Sequence, residues 1–365
     1  MAQKLNIGVL CGGKSSEHRI SLISAQNVIA SLDTERYNPV IIGIDPAGQW
    51  YYYPDGLDLK NGDNPSKVEL IKSEHKVILS QNAEEGILYE MENFTQVAEL
   101  DVLFPILHGT YGEDGSIQGL AKIAGLPCVG CGIIGSAVGM DKDVMKKILR
   151  DAGINVAKSV TVKNYNKEEY SYTKVSAAIG KTLYIKPANL GSSIGVSCIS
   201  DESSFNKAIE LALSYDNKVL VEEKITGREI ECAVLGNDQP ETSTIGEIIP
   251  QNDFYSFENK YVNSDGALLA IPAELPDSII LQAQSLSRKA YLALDCKGMT
   301  RVDMFYTADG ILLINEVNTI PGFTKISMYP KLWEYEGISQ KELISRLIDL
   351  AIEQNQKESA FKHLS

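Results

Sequence analysis

Residues 301–324 read RVDMFYTADGILLINEVNTIPGFT, with Arg301, Asp303, Glu316 and Asn318 set among apolar residues. Asp309-Gly310 between two apolar runs is a two-residue hairpin signal. With that pair as the turn, Ala308 faces Ile311, Asp303 lies opposite Glu316, and Arg301 lies opposite Asn318. Side chains alternate along a strand, so Arg301, Asp303, Glu316 and Asn318 share one face, while Val302, Met304, Leu313 and Val317 share the other. Carboxylates directly opposite each other repel. A solvated face in which Arg301 neutralises the acids is one outcome. A divalent cation is the other, because Mg2+ takes hard oxygen ligands, usually one or two carboxylates completed by water and substrate phosphates. Asp303, Glu316 and Asn318 supply such oxygens, and a phosphorylated substrate should then bind elsewhere in the chain.

The best phosphate loop is Lys186-Pro-Ala-Asn-Leu-Gly191-Ser192-Ser193-Ile-Gly195, where a strand ending in lysine runs into glycines and serines. It offers backbone N–H groups, hydroxyls and a cation to a polyanion. Lys142 adds a second cation, and the strand Val219-Leu-Val-Glu222-Glu223 could offer backbone groups and a carboxylate to an adenine. Gly8-Val-Leu-Cys-Gly-Gly13-Lys14-Ser15 fits GxxxxGK[ST], but Gly8 falls inside a strand, so a tight strand-to-helix turn is the better reading. Glu17 then stands at a helix N-terminus, where it either meets the helix dipole or receives a substrate ammonium. In Leu107-His108-Gly109-Thr-Tyr-Gly112-Glu113-Asp114-Gly115-Ser116, three glycines in seven residues suit a backbone close to a ligand, or a turn capped by Ser116.

The elements that must position these residues are α/β. Apolar strands at 5–10, 39–44 and 101–106, with an amphipathic helix at 16–31, imply a mainly parallel sheet, and polar residues 45–93 imply a long loop or small hairpins. A helix through Met140 to Arg150 leads into short strands and a helix near 203–213, and strands dominate from Glu229 onward. A chain of 365 residues with 44% hydrophobic and 22% charged residues has room for two or three domains. A net charge of −14 argues against a nucleic-acid or anionic-membrane surface and for a small substrate steered by local cations. No run reaches the roughly 18 apolar residues of a membrane span, and residues 1–13 enter a strand without a secretory pattern, so a cytoplasmic protein is expected. Cys128 and Cys131 form one CxxC among six scattered cysteines and four histidines, which fits reduced thiols better than zinc.

Eight motifs in order, GGKSSEHRISL, LHGTYGEDGSIQG, MDKDVMKKIL, IKPANLGSSIGVS, VEEKITGREIECAVLG, DFYSFENKY, RVDMF and NEVNTIPGFT, resemble the D-alanine:D-alanine ligases of the ATP-grasp superfamily. The resemblance spans essentially the whole chain. It implies a three-domain ATP-grasp fold, with an N-terminal parallel-sheet α/β domain (1–132) followed by two α+β domains (133–225 and 226–365) that clamp ATP. ATP would phosphorylate one D-alanine, and the amine of a second would displace phosphate to give a peptidoglycan dipeptide. Lys142 and Lys186 resemble the phosphate lysines, with Ser193 in their loop, Glu222, Glu223 and Ile225 resemble the adenine hinge, and Glu229 resembles the ribose ligand. Glu17 matches the acid for the first substrate's ammonium, and His108 lies near that substrate. Arg301 and the Gly322 N–H match the oxyanion donors, and Ser327 matches a contact to the second substrate's carboxylate. Ser192, Tyr261 and Glu17 match a closing triad, while Lys260 and Tyr261 lie on an expected lid over ATP that excludes water. Asp303, Glu316 and Asn318 would hold two Mg2+ ions, with Mn2+ as a substitute. A monovalent cation is left open, and a homodimer is expected. Tyr261 and Ala188-Asn189-Leu190 favour D-alanine over D-lactate or D-serine as second substrate. A nucleotide-binding regulator without turnover is the rival, and the complete set of charged residues weighs against it. Arg19 and Lys325 depart from the family's common residues.

Overall fold

The computed structural model describes residues 3–81, 86–250 and 267–361. β1 (Leu5–Gly12), α1 (His18–Ser31), β2 (Tyr37–Ile44) and β3 (Trp50–Tyr53) open the chain. Five short strands follow, β4 (Leu59–Lys60), β5 (Glu69–Leu70), β6 (Val77–Leu79), β7 (Ile87–Glu90) and β8 (Gln96–Glu99), before β9 (Val102–Pro105). β1 lies parallel to β2 and β9, and β3 closes the order β3-β2-β1-β9 as an antiparallel edge. The short strands make two small antiparallel sheets, the hairpins expected from the polar stretch. Because β1 runs through Gly12, Gly8 sits inside it and the GxxxxGK[ST] match forms no phosphate loop. The chain turns instead at Gly12 and Gly13, whose φ values of 85° and 90° suit glycine.

After α2 (Ser116–Ile123), the single helix expected through Met140 to Arg150 is two, α3 (Ile133–Met140) and α4 (Lys142–Asp151). Asp141 divides them: its backbone is extended and its carboxylate accepts the N–H groups of Asp143 and Val144. A capping acid thereby starts a new helix and puts Lys142 on its first turn. The second sheet is antiparallel, built from β10 (Ser159–Lys163), β11 (Leu183–Pro187), β12 (Ser197–Ile199) and β13 (Lys218–Glu223) in the order β10-β13-β11-β12. With α5 (Tyr172–Ile179) and α6 (Glu202–Leu213) it encloses its own core around Val162, Ile185, Phe205 and Val221.

The third sheet comprises β14 (Gly227–Gly236), β15 (Glu241–Pro250), β16 (Ala267–Ala270), β17 (Gly298–Thr307) and β18 (Leu312–Asn318). Its order is β16-β15-β14-β17-β18, all antiparallel. α7 (Asp277–Ala293) covers one region of it, and Met145 and Leu149 of α4 enter the same core. α8 (Met328–Tyr335) and α9 (Gln340–Ser359) join it to the first sheet through a core that includes Val102, Met299, Tyr329 and Leu347.

The β17–β18 hairpin pairs Arg301 with Asn318 and Asp303 with Glu316, as the charge pattern predicts, but by a different route. The Thr307 N–H bonds to the Ile311 carbonyl, so the loop has three residues, with Gly310 at φ 79°. That shifts the pairing by one, and a bulge between Asp303 and Met304 on the β17 side of the register, with Asn315 as the extra residue of β18, shifts it back. The core side of β18 is therefore Leu312, Ile314 and Val317, while Leu313 is only half-buried on the opposite face, contrary to the simple alternation. Ile314→Ala is expected to cost about 2–5 kcal/mol and Leu313→Ala about 1 kcal/mol or less. Melting temperatures of the two variants check this, and equal losses would contradict the bulged register.

Candidate active site

Three units meet at one cleft. Glu17, at the N-cap of α1, is buried, and Ser192 donates its hydroxyl hydrogen bond to Glu17 Oε1. Ser192 and Ser193 both adopt left-handed backbone, φ 53° and 59°, in the Gly-Ser loop after β11. Such conformations cost energy in residues with side chains and persist where surroundings hold them. Gly191 and Gly109 crowd the same carboxylate, since a Cβ on either would come within 3 Å of Glu17 Oε2. Glycine at both positions lets two loops close around Glu17.

Arg301, Asp303, Glu316 and Asn318 line the cleft from β17 and β18. The Arg301 guanidinium forks onto Asp303, Nε to Oδ1 and Nη2 to Oδ2, both at 2.7 Å, and Asn318 Nδ2 donates to Asp303 Oδ2 at 2.9 Å. Lys142 reaches Glu316 Oε2 at 3.3 Å and donates to the Leu190 carbonyl at 2.9 Å. Burial lowers the Lys142 pKa, but the Glu316 charge outweighs it and leaves the ammonium above its ordinary value. Among the described residues no three His, Cys, Asp or Glu side chains form a metal cluster. Two carboxylates with an asparagine amide instead fit a hard cation completed by phosphate oxygens.

A second cleft continues from the first past Glu316 and Lys142, and is also lined by Lys186, Ser193, Glu222, Glu223, Ile225 and Glu229. The Glu222 carboxylate is engaged by Lys146 at 2.9 Å and Lys186 at 2.6 Å. Burial raises the Glu222 pKa, yet the two lysines hold it below the ordinary carboxylate value, while burial pulls Lys146 down. The Glu223 carboxylate accepts the Lys158 N–H at 2.7 Å, which aligns the strand end beside the cleft. A ligand at this hinge would therefore meet main-chain groups of the strand end.

His108 takes a supporting position. Its Nδ1 donates to the Ile320 carbonyl and its Nε2 accepts from Ser24 Oγ, each at 2.9 Å, and the Phe323 N–H donates to the same Oγ at 3.3 Å. The carbonyl fixes the proton on Nδ1, and burial keeps the ring's pKa below the ordinary imidazole value against the pull of Glu17. This chain of bonds secures the 320–323 loop, which brings Gly322 to the cleft. A Cβ on Gly322 would lie 2.8 Å from Ser327 Oγ. That hydroxyl in turn accepts the Thr324 N–H at 2.9 Å. Lys260 and Tyr261 lie outside the described residues. Arg19 donates to the Ser66 carbonyl at 2.7 Å, Lys325 is exposed, and all six cysteines are reduced.

The chain matches the model of the D-ala D-ala ligase N-terminus over residues 6–131 and that of the D-ala D-ala ligase C-terminus over 148–349. A D-alanine–D-alanine ligase from Shouchella clausii is 50% identical over 99% of this chain and 98% of its own. The chain belongs to the D-alanine–D-alanine ligase family. D-alanine–D-alanine ligase A of Salmonella typhimurium is 45% identical over 98% and 99% of the two chains. The solved D-alanine-D-alanine ligase from Coxiella burnetii superposes with a TM-score of 0.84 at 36% identity, covering 98% of this chain and 97% of that one. A D-Ala:D-Ser ligase from Enterococcus faecalis gives 0.83 at 36%, covering 96% and 100%. The three-unit architecture is thus the family's ATP-grasp fold.

Three residues that line or brace these clefts escaped sequence reasoning. Lys146 follows Lys142 by one helical turn, and Glu231 follows Glu229 by the two-residue strand period, so each had a periodic signal. Glu113 had none beyond its glycine-rich setting. Its carboxylate accepts the N–H of Gly109 at 2.8 Å and of Ile320 at 2.9 Å, tying the first unit's loop to the third. Burial, then the Glu17 charge, push its pKa up to about 7, against those two bonds and the Lys142 charge. A carboxyl raised above its unfolded value favours the folded state most at low pH, and that contribution is lost as pH rises toward the folded value. Glu113→Gln is therefore predicted to remove a decline of melting temperature between about pH 5 and pH 7. Thermal melts across that range check it, and an unchanged slope would refute the assignment.

Proposed function

We infer that this chain joins two D-alanine molecules into D-alanyl-D-alanine for bacterial peptidoglycan, using ATP and releasing ADP and phosphate. The observation that supports this reading is the Ser192–Glu17 hydrogen bond, which joins an acid at a helix start to the Gly-Ser loop in the cleft that Arg301, Asp303 and Gly322 also line. A carboxylate becomes a usable electrophile only when one of its oxygens leaves as phosphate, so acyl and phosphoryl chemistry must share one water-poor cleft.

In this reading Glu17 receives the ammonium of the first D-alanine, with His108 holding the neighbouring loop. The substrate carboxylate attacks the γ-phosphorus of ATP, and ADP leaves. Lys142 and Lys186 bear on the phosphates, Ser193 adds a loop donor, Glu222 to Ile225 border the adenine, and Glu229 takes the ribose hydroxyls. Asp303, Glu316 and Asn318 would hold Mg2+, two ions with Mn2+ as a substitute, which supplies neutralisation of phosphoryl charge when bound. The amine of the second D-alanine, oriented through its carboxylate by Ser327, then attacks the acyl carbon. Arg301 and the Gly322 N–H stabilise the tetrahedral oxyanion until phosphate departs and the amine loses its proton. Ser192 and Glu17, with Tyr261 and Lys260, close the site. The three domains 1–132, 133–225 and 226–365, a homodimer, and a cytoplasmic location complete the reading.

Phosphate release from ATP and Mg2+ is the test, with D-alanine alone and mixed with D-serine or D-lactate, and with products identified by mass. D-alanine alone should suffice and give D-alanyl-D-alanine. A ligated product only in the mixtures would shift the second substrate, and none in any mixture would leave a nucleotide-binding regulator. Arg301→Ala should lower kcat by about 100-fold or more, the cost of losing an oxyanion donor, while ADP affinity by calorimetry stays within about twofold.

A further inference from the structure

β14, β17 and β18 place three carboxylates in one cross-strand row, Glu231 beside Asp303 and Asp303 beside Glu316. Neighbouring carboxylates repel, and the row is held by Lys142 at the Glu316 end and Arg301 at the other. Glu231 lies on the cleft wall, 4% exposed, and its Oε2 is 3.0 Å from Arg301 Nε. Arg301 is thereby shared between two acids: Nε and Nη2 donate to Asp303, and Glu231 lies beside Nε as an ion pair.

We propose that Glu231 is a positioning residue for the acyl-transfer step, anchoring Arg301 Nε so that the guanidinium stays at the cleft wall when Asp303 serves a divalent cation. This rests on the roles read above for Arg301 and Asp303. A dication on Asp303 repels the guanidinium and competes for the same carboxylate oxygens. Arginine is a long side chain with about 2 kcal/mol of rotamer entropy, so losing that fork would scatter its orientations. Glu231 opposes this from an adjacent strand, where its backbone is fixed by pairing on both sides. Once Asp303 turns to the cation, the Nε–H can pass to Glu231 Oε2, 3.0 Å away, as a charge-assisted bond. The alternative, that Glu231 is itself a metal ligand, would show as weakened metal binding when Glu231 is substituted.

The test compares Glu231→Gln, Arg301→Ala and their double variant in the full-length enzyme. Glu231→Gln should raise KM for the second D-alanine and lower kcat, each about tenfold, the scale of losing a supporting partner. Mn2+ affinity in the presence of ADP, read by electron paramagnetic resonance, should stay at the wild-type value, because Glu231 is proposed to touch Arg301 and not the metal. In the Arg301→Ala background the second change should add nothing. Glu231→Asp retains the charge and should recover part of the loss, which also serves if the glutamine variant folds poorly. Weakened Mn2+ binding matching that of Asp303→Asn would make Glu231 a ligand and overturn the proposal. Additive losses, or wild-type kinetics for Glu231→Gln, would overturn it too. If Arg301→Ala itself turns over normally, the role of Arg301 falls and the proposal with it. A slow Arg301→Ala beside a fast Glu231→Gln would sink the proposal alone.

Discussion

Charge balance across the third sheet is the constraint on which the rest of the site depends. Glu231, Asp303 and Glu316 lie side by side on adjacent strands, an arrangement that repels unless cations reach it. One comes from the same strand as Asp303, the Arg301 guanidinium, and the other comes from α4, the Lys142 ammonium. Lys142 can do this because Asp141 interrupts the preceding helix and caps a new one. The same helix carries Lys146 one turn later to Glu222 of the second sheet, where Lys186 also arrives. Two layers are thus joined by buried ion pairs around a polar cleft. Replacing such pairs with apolar residues is often neutral for stability, so stability alone does not account for their presence here.

The first unit is fastened to this charge-balanced core by short polar links that leave the reacting surfaces open. Glu17 meets Ser192, Glu113 spans Gly109 and Ile320, and His108 spans Ser24 and Ile320. All three converge on loops rich in glycine, whose missing side chains permit the approach. His108 is neutral in this arrangement, which suits a bridge between a hydroxyl and a carbonyl. The 320–323 loop is consequently positioned from behind by first-unit residues.

Much of this was legible in residue order. Strand β1 and its glycine turn, a mainly parallel first sheet, and the pairing of Asp303 with Glu316 follow from periodicity and turn chemistry. The hairpin is instructive because its site face was read correctly from a wrong turn. A three-residue loop and a one-residue bulge offset each other, so the pairing survived while Leu313 and Ile314 exchanged faces. Alternation cannot reveal a bulge that keeps the overall register. The continuous helix expected across Asp141 failed for a related reason, since a capping acid and an ordinary surface acid look alike within a polar helical pattern.

The sequence by itself determined the inventory and its chemistry: oxygen ligands on one strand face, lysines near a Gly-Ser loop, an acid at a helix start, and motifs whose order names a family. Those features are local, set by side-chain type and by backbone periods of a few residues. Tertiary structure alone decided which acids are balanced by which cations. Lys146 and Lys186 share Glu222, Arg301 divides between Asp303 and Glu231, and Glu113 becomes a half-buried bridge with a raised pKa. Coulombic energy and desolvation depend on distance and burial in space, and residues far apart in the chain acquire both only when the three units close on one cleft.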